Sequence, residues 1–146
     1  SLGRYRPVFE LEGFRVSVER DSSEPLRSEA TVRLKLDGKV REATASGCGP
    51  VHALDLALRR SLSDAFECLG DVHLTDYKVR VLNGDEATAA RVRVLIRTRD
   101  SEESWGTVGV SDNILDASWQ ALSDSINYKL LKAVSNGERV VEGAER

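Results

Sequence analysis

The 146 residues contain no methionine, only two cysteines and two histidines, and few aromatic side chains. No apolar run approaches the ~20 residues that would cross a bilayer. Each scarcity excludes something. Cys48 and Cys68 stand twenty positions apart with no CxxC pair and no histidine cluster, short of the ligand count of a zinc site. They read as reduced thiols, and no metal or cofactor is expected in this chain. The opening SLGRYRPV lacks the charged-then-apolar pattern of a signal peptide, so a cytoplasmic location with no membrane partner is expected. A chain that starts at Ser1 without methionine is expected to be a piece of a longer protein. A formal charge of -3 gives no global pull toward phosphate backbones or anionic lipid, and nucleic acid is not an expected partner. What is present, 40% hydrophobic and 31% charged residues, suits one globular domain.

The chain repeats itself. Phe14, Val16 and Val18 alternate with polar neighbours, and Tyr77, Val79 and Val81 do the same 63 positions on. Both patterns read as half-buried strands. Val32, Leu34 and Leu36 mark a second strand, matched by Val92, Val94 and Ile96 at an offset of 60. A third runs from Val40 to Ser46 after the hairpin signal Asp37-Gly38, and Ser104 to Val110 answers it. Each meander then feeds a segment whose apolar residues change to a period of about 3.6. Leu54, Leu58, Leu62, Ala65 and Leu69 form one stripe, and Leu115, Trp119, Leu122, Ile126 and Leu130 the other. Pro50 suits a first helical position, Ser111 or Asp112 the cap of the second helix, and Asn136-Gly137 its end.

Six strands and two helices in this order predict an α+β fold: two βββα units related by a pseudo-twofold axis, their antiparallel sheets covered by the helices. A homodimer is the expected assembly for such a sheet.

The candidate chemistry is thin. GCGP, at Gly47 to Pro50, joins two glycines to a helix N-terminus, where backbone N–H groups can meet a carboxylate or phosphate. The same glycines also serve simply to turn strand into helix, and both uses stay open. Cys48 and His52 are four apart, but no third residue orients them as a nucleophile pair. Asp112, Asp116 and Asp124 are ordinary at a helix start and on a wet face. No catalytic residue is expected. Arg91, Arg93, Arg97 and Arg99 share one strand face, with Lys78 and Arg80 on the same sheet surface. Salt bridges to the many acidic residues are the expected account of these cations, and an RNA-binding βββα module is the rival reading.

GCGPVHALDLAL, LTDYKVRVLNG and WGTVGVSDNILDASWQALSDSINYKL, in that order, resemble the C-terminal regulatory domain of the 2-isopropylmalate synthase and citramalate synthase family over about residues 8 to 134. WxxVGVSxNI followed by ASWQAL is closer to the citramalate synthases. The resemblance implies a parent acyltransferase that condenses acetyl-CoA with a 2-oxo acid on a barrel holding a divalent metal. It implies that residues 8–136 form a feedback-regulatory, dimerising domain, in repeats of about 8–70 and 71–136, with 1–7 a linker and 137–146 a charged tail. It further implies an effector, isoleucine or alternatively leucine, at the dimer interface. By motif match Gly47, Gly49, Val51, His52, Leu74, Asp76, Tyr77, Val81, Ser111 and Asp112 would border it. Cys48 and His52 depart from the small or amide residues frequent there. A structural dimerisation domain without effector is the alternative.

Overall fold

The computed structural model describes residues 8–82 and 91–135. The expected linker 1–7, the tail 137–146 and the Asn136-Gly137 stop lie outside the described residues. The elements are β1 (Glu10–Asp21), β2 (Glu24–Leu36), β3 (Lys39–Gly47), α1 (Pro50–Leu62), a 3-10 turn (Glu67–Asp71), β4 (His73–Leu82), β5 (Arg91–Arg99), β6 (Ser104–Ser111) and α2 (Ile114–Ser135). They make two antiparallel sheets, β1-β2-β3 and β4-β5-β6, and two compact units: the second comprises Cys68–Lys129, and the first takes the elements up to Glu67 together with the end of α2 from Leu130. The expected α+β fold, with helices packed on the sheets, is the one observed.

In the first unit Asp37 and Gly38 both take positive φ, 55° and 78°, which is the twist a two-residue hairpin needs to keep β2 and β3 in register. Period-two alternation then sorts β2 by face. Ala30, Val32, Leu34 and Leu36 are buried, while the other face is wet and internally paired: Thr31 to Thr44 at 2.8 Å, Arg33 to Glu42 at 3.4 Å and Lys35 to Glu12 at 3.8 Å. Helix α1 covers the apolar face of β2 and β3 with Ala53, Leu54, Ala57, Leu58 and Leu62, all buried. Each leucine burial contributes about 1.5–3 kcal/mol.

The helix ends earlier than the leucine stripe predicts. Ala65 and Phe66 both turn their amides back to the Leu62 carbonyl, closing the ladder, and Leu69 reaches the interior from the 3-10 turn instead. Arg41 caps this end from β3, donating through Nε to the Ser61 carbonyl at 2.9 Å and pairing with Asp64. Ser63 and Asp64, with short polar side chains that compete for the backbone, are poor residues for continuing a helix.

In the second unit β5 is central, with Val94, Ile96 and Thr98 buried against α2. The approach of α2 to β6 is set by Gly109: a Cβ there would stand 2.0 Å from the Ala117 carbonyl oxygen. Around this contact the Thr107 hydroxyl donates to the Ala121 carbonyl at 2.8 Å, Trp105 Nε1 to the Ser125 carbonyl at 3.3 Å, and Thr98 and Ser125 share a buried 2.6 Å hydroxyl bond. Among the described residues of this unit a charge pair lies in the interior. Lys129 Nζ lies 2.7 Å from Asp100 Oδ2, while Asp100 Oδ1 accepts the amides of Glu102 and Glu103.

The cap of α2 is neither Ser111 nor Asp112. Strand pairing runs on through Ser111, so the helix starts later and Asn113 caps it, its Oδ1 accepting the amides of Leu115 at 2.8 Å and Asp116 at 3.2 Å. Ser111 accepts the Asn113 amide one step earlier.

Candidate functional site

Of the two glycines at the start of α1, Gly47 is required for a steric reason. A Cβ on Gly47 would come within 2.7 Å of the Ala53 amide nitrogen and 2.9 Å of His52 Nδ1, so only glycine lets the end of β3 pass so near the first helical turn. Gly49 is the N-cap in an extended conformation and offers no side-chain acceptor, and Pro50 has no N–H to satisfy. Ala53 bonds the Gly49 carbonyl. That leaves the amides of Val51 and His52 without an acceptor among the described residues, at the positive end of a helix dipole.

His52 is tied down rather than poised for catalysis. Its Nδ1 accepts the Cys48 amide at 3.0 Å, which places the proton of the neutral ring on Nε2. The bond is to the cysteine backbone, and Cys48 exposes its thiol to solvent. Cys48 and His52 are thus neighbours, as their spacing suggests, without a thiolate-imidazole contact.

On β4 a bulge decides which side chains share a face. Leu74 pairs with Thr98 and Asp76 with Arg97, leaving Thr75 as the extra residue. Strict alternation would set Leu74 and Asp76 together; the bulge instead turns Tyr77, which pairs with buried Ile96, to the same side as Leu74. Tyr77, Val79 and Val81 then line the helix side of an edge strand and stay 38%, 41% and 61% exposed, an apolar ledge with no cover among the described residues. The Tyr77 hydroxyl is anchored 3.0 Å from the Ser118 hydroxyl, and Ser118 is fully buried. Asp76 falls on the opposite face, where Oδ1 accepts the Tyr77 amide at 2.9 Å and Oδ2 lies 3.7 Å from Lys78 Nζ. Of the four residues expected from this strand, Leu74, Tyr77 and Val81 are brought to one face and Asp76 is not.

Ser111 and Asp112 sit at a helix start that is already satisfied by Asn113, so the second start offers a ligand less than the first does. Asn113 and Ser118 were missed by the sequence reading. Ser118 carried a signal, a polar residue four positions before Leu122 on the buried stripe of α2.

Among the described residues an acid reaches this basic face once, where Asp76 pairs with Lys78. Arg80, Arg91, Arg93, Arg97 and Arg99 make no ion pair with another described residue, and β6 presents the uncharged Ser104, Gly106, Val108 and Val110 beside them on that face. Asp124 keeps contact with solvent, yet partial desolvation on the flank of α2 raises its pKa above the ordinary aspartate value. Among the described residues no group of three or more His, Cys, Asp or Glu side chains could hold a metal ion, and no helix is long and apolar enough to cross a membrane.

Comparison with known proteins places these features in context. Residues 1–130 match the LeuA allosteric (dimerisation) domain. An (R)-citramalate synthase of Geobacter sulfurreducens is 51% identical over 91% of the chain and 25% of its own length. One of Aquifex aeolicus is 49% identical over 93% of the chain and 26% of its own length. A 2-isopropylmalate synthase of Shewanella sediminis is 36% identical over 88% of the chain and 22% of its own length. The chain thus spans about a quarter of the length of these relatives.

Proposed function

Because the chain belongs to the LeuA allosteric (dimerisation) domain family, we propose that it is the feedback-sensing part of a citramalate synthase, binding isoleucine in preference to leucine at a homodimer interface. The observation that carries this reading is the contrast between the two helix starts. Val51 and His52 present two unsatisfied amides beside Gly49, where a Cβ would meet nothing within 4 Å, whereas Asn113 fills the equivalent donors of α2. An amino-acid carboxylate suits the first. By motif match Leu74, Tyr77 and Val81 also border the effector, and the Tyr77 ring is held in orientation by Ser118.

The parent protein condenses acetyl-CoA with a 2-oxo acid in the cytoplasm; its divalent metal and acetyl-CoA are held by the catalytic region, and effector binding here biases that region toward a less active state. A coupling of about 1–3 kcal/mol changes affinity roughly 5–150-fold, enough for feedback control. Asp76, Ser111 and Asp112 contribute to the rim at most, since Asp76 faces away from Tyr77 and the other two flank a capped helix.

Titration calorimetry of the chain with isoleucine, leucine and isoleucinamide tests the reading. Saturable binding of isoleucine, weaker binding of leucine and none of the amide is expected. No heat with either amino acid at millimolar concentration leaves a dimerisation domain without effector.

A further inference from the structure

Antiparallel register sets Lys78 across from Leu95 and Arg80 across from Arg93, all on the face of the second sheet turned away from α2. Arg80 and Arg93 are therefore like charges directly opposite, about 5 Å apart at Cα, an arrangement that destabilises a sheet unless something anionic lies between them. No described carboxylate does. These side chains, with Val79, line an open concavity of about 430 Å³. Its floor is partly apolar through Leu95, and beside it the Arg97 guanidinium lies over Gly106, with Nη1 3.2 Å from where a Cβ would stand. Among the described residues the face carries Lys78, Arg80, Arg91, Arg93, Arg97 and Arg99 against one acid, Asp76, in a chain of net charge -3.

We propose that this concavity is a binding site for a small phosphate ester, distinct in place and chemistry from the amino-acid effector surface. The two opposed guanidiniums bracket one phosphate dianion with forked donors, Lys78 meets a second charge as a mobile ammonium, and Leu95 takes the ester's ring or aliphatic part. The dimensions suit a molecule of nucleotide size. An extended nucleic acid is less well served, because no exposed aromatic side chain stands on this face for base stacking: Tyr77 points to the helix side and Trp105 is buried.

Titration of the 146-residue chain with adenosine diphosphate, inorganic pyrophosphate and adenosine tests the proposal. Saturable binding of the diphosphate below millimolar concentration is expected, with weaker binding of pyrophosphate, none of adenosine, and loss of affinity on raising salt. Arg80→Ala and Arg93→Ala should each weaken the diphosphate at least 10-fold, and Arg93→Lys should restore part of it. Thermal unfolding of the alanine variants should be unchanged or shifted upward, because a repulsive pair is removed. No saturable binding of diphosphate or pyrophosphate overturns the site, as does binding indifferent to Arg93. Binding of single-stranded RNA or anionic phospholipid vesicles that the diphosphate does not displace also overturns it, in favour of an extended polyanion surface.

Discussion

Gln120 of α2 pairs with Val110 of β6 as if it were a strand: Oε1 accepts the Val110 amide and Nε2 donates to the Val110 carbonyl, both at 3.1 Å. The second Nε2 hydrogen reaches Asp116 at 3.1 Å, so the amide is held in one orientation. Gln120→Ala should cost about 1–2 kcal/mol by stranding two backbone groups, and Gln120→Glu more, because a carboxylate oxygen would face the Val110 carbonyl. Urea unfolding of the three proteins measures this.

The closeness that makes that pairing possible depends on Gly109. Gly109→Ala forces a Cβ against the Ala117 carbonyl and Gln120 Cβ, both backbone-anchored, and should destabilise the protein by at least about 2 kcal/mol. An unfolding midpoint equal to that of the parent would show that α2 can retreat without loss.

Lys129 and Asp100 form the one internal charge pair described, each side chain at most 10% exposed. Lys129→Met removes the ammonium 2.7 Å from the buried Asp100 carboxylate, at a cost of about 3–5 kcal/mol. The double variant with Asp100→Asn should recover part of that loss, and the coupling is read from a double-mutant cycle.

Asp124 supplies a pH dependence of definite sign. Its folded-state pKa lies above the unfolded value, so between the two the native state holds more protons and stability falls as pH rises. Asp124→Asn should leave stability unchanged below the ordinary aspartate range and raise it modestly at neutral pH, since the group is solvent-exposed. Denaturation curves at acid and neutral pH compare the two proteins; an effect of opposite sign would assign Asp124 a stabilising charge instead.

Gly47→Ala addresses the start of α1. The added methyl meets the Ala53 amide and His52 Nδ1, and should displace the first turn, break the Cys48 to His52 bond and abolish isoleucine binding. Gly49→Ala meets nothing within 4 Å and should be far milder, which separates a steric role at one glycine from general intolerance at both.

The meanders, the Asp37-Gly38 hairpin and the buried stripes were legible in the sequence because period and turn chemistry are local properties. What escaped was decided between elements. The bulge at Thr75 has no residue signature and yet swaps the partners of Leu74 from Asp76 to Tyr77. Asn113 took over a cap assigned to its neighbours because β6 kept pairing through Ser111. The arginines were expected to find acids from composition alone, but which strand lies beside them, and that it contributes glycine and valine, is a matter of register.

The Gln120 to Val110 clasp has a consequence for aggregation. A strand edge with free amides and carbonyls in sequence is a template on which another chain can zip up. By occupying both groups of one residue, α2 cuts the outer margin of β6 into pieces too short to template anything, and Arg60 of α1 takes the Thr44 carbonyl of β3 at 2.7 Å in the same spirit. Each helix thus covers part of the edge of the last strand that precedes it, and removing either side chain would lengthen the stretch of edge left free for another chain.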